Sequence, residues 1–244
     1  MGRWFIEIAY NGTNYHGWQI QPNAITVQQT LNECLTTILR EEISVMGCGR
    51  TDTGVHATQF YAHFDTGLQL DKMLIQKFNS LLPKDISVID LFNVKDAAHT
   101  RFEATSRTYE YHINLAKNPF KEGLSYYLRK ELDLGLMQEA CIVLKEFEDF
   151  TSFSKVKTAN HTNICHISFA KWEQNGTDLV FTISANRFLR NMVRSIVGTM
   201  LDLGTGKISL LEFRAIIEAK DRREAGSSAP AQGLFLTKIE YPYL

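Results

Sequence analysis

The sequence has little of what would announce a metal centre, a disulfide framework or a membrane anchor. Its 244 residues include four cysteines, Cys34, Cys48, Cys141 and Cys165, and none stands in a C-x-x-C pair. That spacing argues against a zinc site. The four read instead as small buried hydrophobes in a reducing compartment. No apolar run approaches the roughly 20 residues that a membrane helix needs, and no low-complexity tract is present. The first residues, MGRWFIEIAY, alternate like a strand and do not read as a signal peptide, so a cytoplasmic location is expected. There is also no net excess of positive charge. The balance is 26 basic against 27 acidic residues, which argues against coating nucleic acid through bulk charge.

The composition that remains is that of an ordinary globular protein, long enough for one large domain or two small ones. Its charge is segregated. Residues 184–200 carry Arg187, Arg190 and Arg194 and no acid, whereas residues 131–150 carry six acids and one base. Such segregation can build a local cationic cleft in a neutral protein.

Periodicity divides the chain into two halves. Strands are expected at 3–10, 43–48, 58–66 and 86–93, with helices at 26–41 and 71–82. Thr26-x-x-Gln29 reads as a capping box for the first helix, and Asp71 opens the second. The order is β-α-β-β-α-β, a ferredoxin-like arrangement. The second half repeats it, with strands at 106–115, 164–173, 178–185 and 234–241 and helices at 134–147, 187–203 and 208–219. Asn175-Gly176 marks the turn of a hairpin. The expectation is an α+β protein of two similar halves, 1–100 and 101–244, whose sheets form one larger mixed or antiparallel surface. Helices would pack on it, and a ligand would sit in the cleft between the halves. No Pro- or Gly-rich linker marks the boundary near 95–105.

One segment is rich in chemistry: Gly47-Cys48-Gly49-Arg50-Thr51-Asp52-Thr53-Gly54-Val55-His56-Ala57. Its glycines allow unusual backbone angles and close approach of a ligand. Arg50 and Asp52, two apart in a loop, can address one pocket. The Gly-Lys-Ser/Thr ending of a phosphate-binding P-loop is absent. Asp52 and His56 lack the further ligands that a metal would need.

Residues 49–57 resemble the signature of the tRNA pseudouridine synthase A family, usually G-R-T-D-A-G-V-H-A, with Thr53 in place of the common alanine. The resemblance runs through the chain. It takes in Tyr10-x-Gly12-x-x-Tyr15-x-Gly17-Trp18-Gln19, Val27-Gln28-x-x-Leu31, His99-x-Arg101-Phe102 and Arg107-x-Tyr109-x-Tyr111. It continues through Asp149-Phe150-Thr151-Ser152-Phe153, Phe188 to Gly198, and Ala229-Pro230-Ala231-x-Gly233-Leu234 with Tyr241-Pro242.

The resemblance implies a pseudouridine synthase fold, with the catalytic loop 47–57 in the first half and an active-site tyrosine and arginine in the second. It implies isomerisation of uridine to pseudouridine in the anticodon stem–loop of tRNA, near positions 38 to 40, with no cofactor and no metal. It also implies a homodimer. Asp52 matches the family's catalytic aspartate, acting on the sugar, on the base, or in a glycal-forming route. Tyr109 matches the tyrosine placed against the target base. Desolvation disfavours an ionised carboxylate and a nearby arginine offsets it, which makes Arg194 the candidate counter-charge. Arg50 would occupy the space left by a flipped base or hold the phosphate beside it. Arg187 and Arg190 are candidate phosphate contacts, and His56, His99 and Arg101 are assigned to structure or RNA contact. Residues 10–19 form a glycine- and aromatic-rich loop, either ordered around RNA or packed on the sheet. The rival is a non-catalytic RNA-binding module on the same two halves. A metal-dependent nucleotide hydrolase, the third class, has no ligand spacing behind it.

Overall fold

The computed structural model describes residues 1–155 and 162–244. The strands are β1 (Gly2–Tyr10), β2 (Met46–Gly47), β3 (His56–Thr66), β4 (Ile86–Val94), β5 (Ser106–Asn114), β6 (Tyr126–Tyr127), β7 (Ile167–Asn175), β8 (Asp178–Ala185) and β9 (Leu234–Glu240). The helices are α1 (Val27–Leu39), α2 (Leu74–Leu81), α3 (Leu134–Leu144), α4 (Met192–Gly204) and α5 (Leu210–Ala219). This is a mixed α+β protein. It forms two compact units, Met1–Thr105 with Phe235–Leu244, and Ser106–Leu234.

In the first unit β1 is central and pairs antiparallel with both β3 and β4, while β2 pairs antiparallel with β3. The order is therefore β4-β1-β3, and beyond β3 come both the short β2 and β9. The strand expected at 234–241 forms as β9 and pairs parallel with β3 through His56 and Phe235. Trp4, Phe5, Ile6 and Ile8 of β1 are buried together with Phe60, Ala62 and Phe64 of β3. On α1, Val27, Leu31, Cys34, Leu35 and Leu39 form the apolar stripe that covers this core.

Local chemistry explains where the elements begin and end. The Thr26 side chain accepts from the Gln29 N–H at 3.4 Å, which caps α1. The reciprocal half of the expected capping box is missing, because the Gln29 amide donates instead to Glu33 at 2.9 Å. Arg40 ends the helix in the left-handed region, at φ 58°. Asp71 caps one turn earlier than α2 itself, accepting from the Met73 N–H at 2.8 Å.

In the second unit β8 pairs antiparallel with β5 and β7, and the short β6 pairs parallel with β5. The β7–β8 hairpin turns at Gly176-Thr177, one residue later than expected, between the paired Asn175 and Asp178, and Gly176 takes φ 60°. Two helices depart from expectation. α3 stops at Leu144. α4 starts at Met192 because Asn191 stands at φ 66° and cannot continue a helix backwards. Arg187 and Arg190 therefore lie in the approach to α4 and not on it. The four cysteines are buried and unbridged, and burial pushes the Cys34, Cys141 and Cys165 thiols up to about 11, 12 and 11.

Candidate active site

The loop after β2 is held mainly through its backbone. Gly47 lies so close to the Trp18 ring that a Cβ there would come within 2.6 Å of it. The Cys48 N–H donates to the Tyr61 carbonyl at 2.8 Å. Thr51 is buried, with its hydroxyl 2.8 Å from the Tyr10 hydroxyl. Its carbonyl accepts from the Trp18 N–H at 3.2 Å. The next residue, Asp52, is half-buried and opens a four-residue turn that the Val55 N–H closes onto the Asp52 carbonyl at 3.1 Å. Gly54 takes φ 76° at the third position, where a type II turn requires a positive value. Arg50, two residues earlier, is exposed.

Residues 11–19 clamp this turn against the start of α1. Gly17 stands at φ 85°, and a Cβ on it would meet the Thr51 carbonyl at 2.4 Å. The Gly17 and Trp18 carbonyls accept from the Val27 and Gln28 N–H groups at 3.2 and 3.0 Å, satisfying donors that a helix start leaves open. The Gly12 N–H donates to His56 Nδ1 at 3.0 Å, so a neutral His56 carries its proton on Nε2. His56 is buried and stacks on Phe235, with centroids 4.5 Å apart. Of the two readings of this loop, packing on the sheet describes one side of it: Tyr10, Gly12, Tyr15, Gly17 and Trp18 are buried, while Asn11, Thr13, Asn14, His16 and Gln19 are exposed.

In the second unit Tyr109 sits on β5 opposite Ile183, half-buried, with Phe188 edge-on to its ring at 5.1 Å and 87°. Beside it, Arg107 Nη1 donates to the Asn186 carbonyl at 2.8 Å, and the Thr108 and Ser184 hydroxyls lie 2.7 Å apart. Tyr111 shares the in–out parity of Tyr109 but is fully buried, and its hydroxyl donates to the Pro230 carbonyl at 2.8 Å. Burial holds that hydroxyl far above the ordinary tyrosine range, against the opposing pull of Arg194. Tyr111 is thus committed to the fold.

Arg194 lies in the first turn of α4 among the buried Met192, Val193, Ile196 and Val197, and is itself half-buried. Its Nε donates to the Ala229 carbonyl at 2.7 Å, and the Ala229 N–H returns a bond to the Arg194 carbonyl at 2.9 Å. Other side chains tie the same segment down. Arg222 donates to the Ala225 and Gly226 carbonyls and to Ser228 Oγ at 3.1 to 3.2 Å, and Asn191 Nδ2 donates to Ser228 Oγ at 2.6 Å. Arg187 is half-buried and Arg190 exposed.

The structure thus places Arg50 and Asp52 together on one loop of the first unit. It places Tyr109, Arg187, Arg190 and Arg194 on the second. Sequence reasoning missed the supporting residues Thr51, Tyr10, Arg222 and Ser228. The paired spacing of Gly12 and Gly17 before a Gly-rich loop was the available sign of a close backbone approach. Among the described residues, no group of three or more His, Cys, Asp or Glu side chains is placed to hold a metal ion, and no helix is long and apolar enough to cross a membrane.

Comparison with known proteins follows the same lines. A family model described as tRNA pseudouridine synthase matches residues 147–242. The chain is 53% identical over 246 residues to a tRNA pseudouridine synthase A of Bacteroides thetaiotaomicron, covering 99% of this chain and 91% of that protein. It is 51% identical over 244 residues to that of Parabacteroides distasonis, covering 99% and 97%. It is 38% identical over 239 residues to that of Thermoanaerobacter pseudethanolicus, covering 97% and 98%. Similarity of this extent defines the class: an RNA-modifying isomerase that makes pseudouridine. The chain belongs to the tRNA pseudouridine synthase A family.

Proposed function

We propose that the protein isomerises uridine to pseudouridine in the anticodon stem–loop of tRNA, at position 38, 39 or 40, with Asp52 as the nucleophile. The observation that carries this reading is the frame around Asp52. Its backbone is fixed on both sides by Thr51 and Gly54, while the residue itself is only half-buried. Fixing a reacting group before the substrate arrives lowers the entropic part of a barrier.

In the reaction the N-glycosidic bond breaks, the uracil turns in place, and a carbon–carbon bond forms to the same sugar. The proton on the newly bonded base carbon then leaves. A carboxylate serves this chemistry by attacking the sugar, by attacking the base, or by stabilising a glycal-forming route. Nothing in the sequence of bond changes calls for a metal or a cofactor. The Tyr109 ring, edge-packed on Phe188, is suited to lie against the base, and its hydroxyl to relay that proton. Arg194 supplies the counter-charge to Asp52. The target must leave the stack before it reacts, and the exposed Arg50 is suited to hold the RNA beside it. Arg187 and Arg190 contact phosphates. The antiparallel pairings of β4 with β1, β1 with β3 and β3 with β2 support reading the first unit as a ferredoxin-like half, with the catalytic loop in 1–100 and the tyrosine and arginine in 101–244. A cytoplasmic homodimer is the assembly this reading implies.

The test is incubation with a uridine-labelled tRNA transcript without added metal, followed by analysis for pseudouridine. Asp52→Asn, which is nearly isosteric, should abolish the product while tRNA affinity stays within about threefold, because affinity comes mainly from phosphate contacts. Appreciable turnover by this variant removes Asp52 from the nucleophile role.

A further inference from the structure

Between β4 and β5 the chain makes a turn, His99–Glu103, that the chemistry above does not use. Its anchor is Thr100, which is fully buried. The Thr100 hydroxyl lies 2.9 Å from the Met46 carbonyl and 2.8 Å from His63 Nδ1, and its carbonyl accepts from the Tyr241 hydroxyl at 2.6 Å. Met46 belongs to β2, the strand that leads directly into the loop of Asp52. The turn is therefore bolted to the frame of that loop.

The turn is also closed on itself. The His99 N–H donates to the Glu103 carboxylate at 2.7 Å, and the Glu103 N–H donates to the His99 carbonyl at 3.1 Å. The Arg101 and Phe102 N–H groups reach His99 Nδ1 at 3.1 and 3.4 Å, and the Tyr243 hydroxyl donates to Glu103 at 2.7 Å. These bonds order the turn at the surface, and Phe102 stands outward from it, 76% exposed. The His99 ring lies against the Phe102 ring with centroids 4.2 Å apart, and the Arg101 guanidinium carbon is 5.7 Å from its centroid.

A single exposed apolar side chain is ordinary. An aromatic ring held out by a locked turn, with an imidazole and a guanidinium beside it, has a definite chemical complement. The ring offers a π-face to a planar base, and the guanidinium offers a cation to the adjoining phosphate. Because the turn is already ordered, little conformational entropy is lost on contact.

We propose that Phe102, flanked by His99 and Arg101, is a stacking platform for an unpaired base of the RNA substrate. The proposal rests on the reading that the substrate is RNA. It adds a base contact fixed to the same frame as Asp52, made by a residue that takes no part in the bond changes.

The test compares the full chain with Phe102→Ala, Phe102→Leu, Phe102→Tyr and Phe102→Trp. Binding of an unmodified tRNA transcript with uridines at 38 to 40 is measured at fixed salt, with sedimentation of each free protein. Loss of a stacked base should weaken binding about tenfold in the alanine and leucine variants, and the aromatic variants should bind within about twofold of the parent. Leucine binding as well as tyrosine would mean apolar packing only and would overturn the proposal. So would unchanged binding across the set, or an alanine variant whose oligomeric state shifts, which would make Phe102 a contact between copies of the chain. A parent protein that makes no pseudouridine refutes the proposed function, and the binding order of the variants still decides the platform.

Discussion

The turn at Asp52 and the helix start at Arg194 are each tied to a segment distant in sequence, but by opposite means. Around Asp52 the ties are close backbone approaches: Gly12 against Val55, Gly17 against Thr51, and Gly47 against the Trp18 ring. Around Arg194 they are mostly polar side chains. Arg194, Asn191 and Arg222 all reach into residues 225–229, beside close approaches of Gly198 to Ser227 and of Gly226 to Thr199. The first region is held chiefly by atoms that are absent, the second by an absent Cβ at Gly198 together with charges and amides that are present. The first should therefore fail when a methyl group is added, and the second when a charge is removed.

The largest effect expected is on the second region. Arg194→Met keeps much of the apolar stem and deletes the charge. If Arg194 is the partner of Asp52, single-turnover rate should fall by about a hundredfold or more, with only a modest loss of tRNA affinity. If it is instead a phosphate contact, affinity falls and the salt slope drops by about one, while the rate on bound tRNA is kept. Both quantities measured on the same variant decide the point, and the second pattern would sink the counter-charge assignment.

Next comes the contrast of two glycines in the first region. Gly17→Ala combines a positive φ with a 2.4 Å approach to the Thr51 carbonyl, whereas a Cβ at Gly49 meets nothing within 4 Å. The first substitution should lower stability by roughly 1–3 kcal/mol. Activity should fall with it by at least about tenfold, since Thr51 is covalently next to Asp52. Gly49→Ala should stay within about twofold of the parent in activity. Urea melts and turnover of both variants check this, and a neutral Gly17→Ala would undo the idea of a backbone frame.

The same contrast explains what could be read from the sequence. Element type was legible wherever it depends on local pattern, as in the alternation of β1, the apolar stripe of α1 and the glycine turn of the β7–β8 hairpin. Boundaries set by distant partners were not. Asn191 leaves the helical region where its amide meets Ser228, 37 residues later, and no local signal marks this. The strand expected at 43–48 shrinks to Met46–Gly47, and β6 was not foreseen. At the site, the loop of Asp52 was legible because its glycines sit in one short segment. Tyr109 and Tyr111 share a face by parity, and what distinguishes them, the full burial of Tyr111 and its bond to the Pro230 carbonyl 119 residues away, is not local.

A smaller effect is expected from Tyr10→Phe. It removes one hydroxyl from the buried pair with Thr51 and leaves the ring packing against Phe60 in place. Stability should fall by about 1 kcal/mol, the usual net worth of such a bond, plus any cost of leaving Thr51 unsatisfied. If the pair positions Asp52, kcat should fall several-fold while KM holds. A parallel loss in both would mean a structural role alone.

The smallest effect sharpens the contrast through charge instead of shape, since the core beside the Asp52 frame holds a histidine that resists protonation. His63 on β3 is buried, stacks near Phe5 at 6.0 Å, and meets His99 edge-on at 4.7 Å. Burial pushes it down to about 4; the charges of Arg3 and His99 act in the same direction, and Asp65 opposes them. His99 is also lowered, again first by burial. In the unfolded chain a histidine titrates near its ordinary value of about 6.5. Between that value and about 4 the unfolded state therefore binds more protons than the folded state, and stability must fall as pH is lowered through this window. Above the window His63 is neutral in both states, and below it protonated in both, so neither side adds slope from this group. The carboxylates held below their usual range, such as Asp65 beside Arg3 and Glu110 beside His112, also cost stability on acidification, chiefly below their ordinary values of 3.8 and 4.5. The two sources separate by where the loss begins. Melting temperature measured from pH 7 to 4.5 should decline by several degrees in the parent and by less in His63→Gln, which cannot take up the proton. A decline of equal steepness in both proteins would remove His63 as its source.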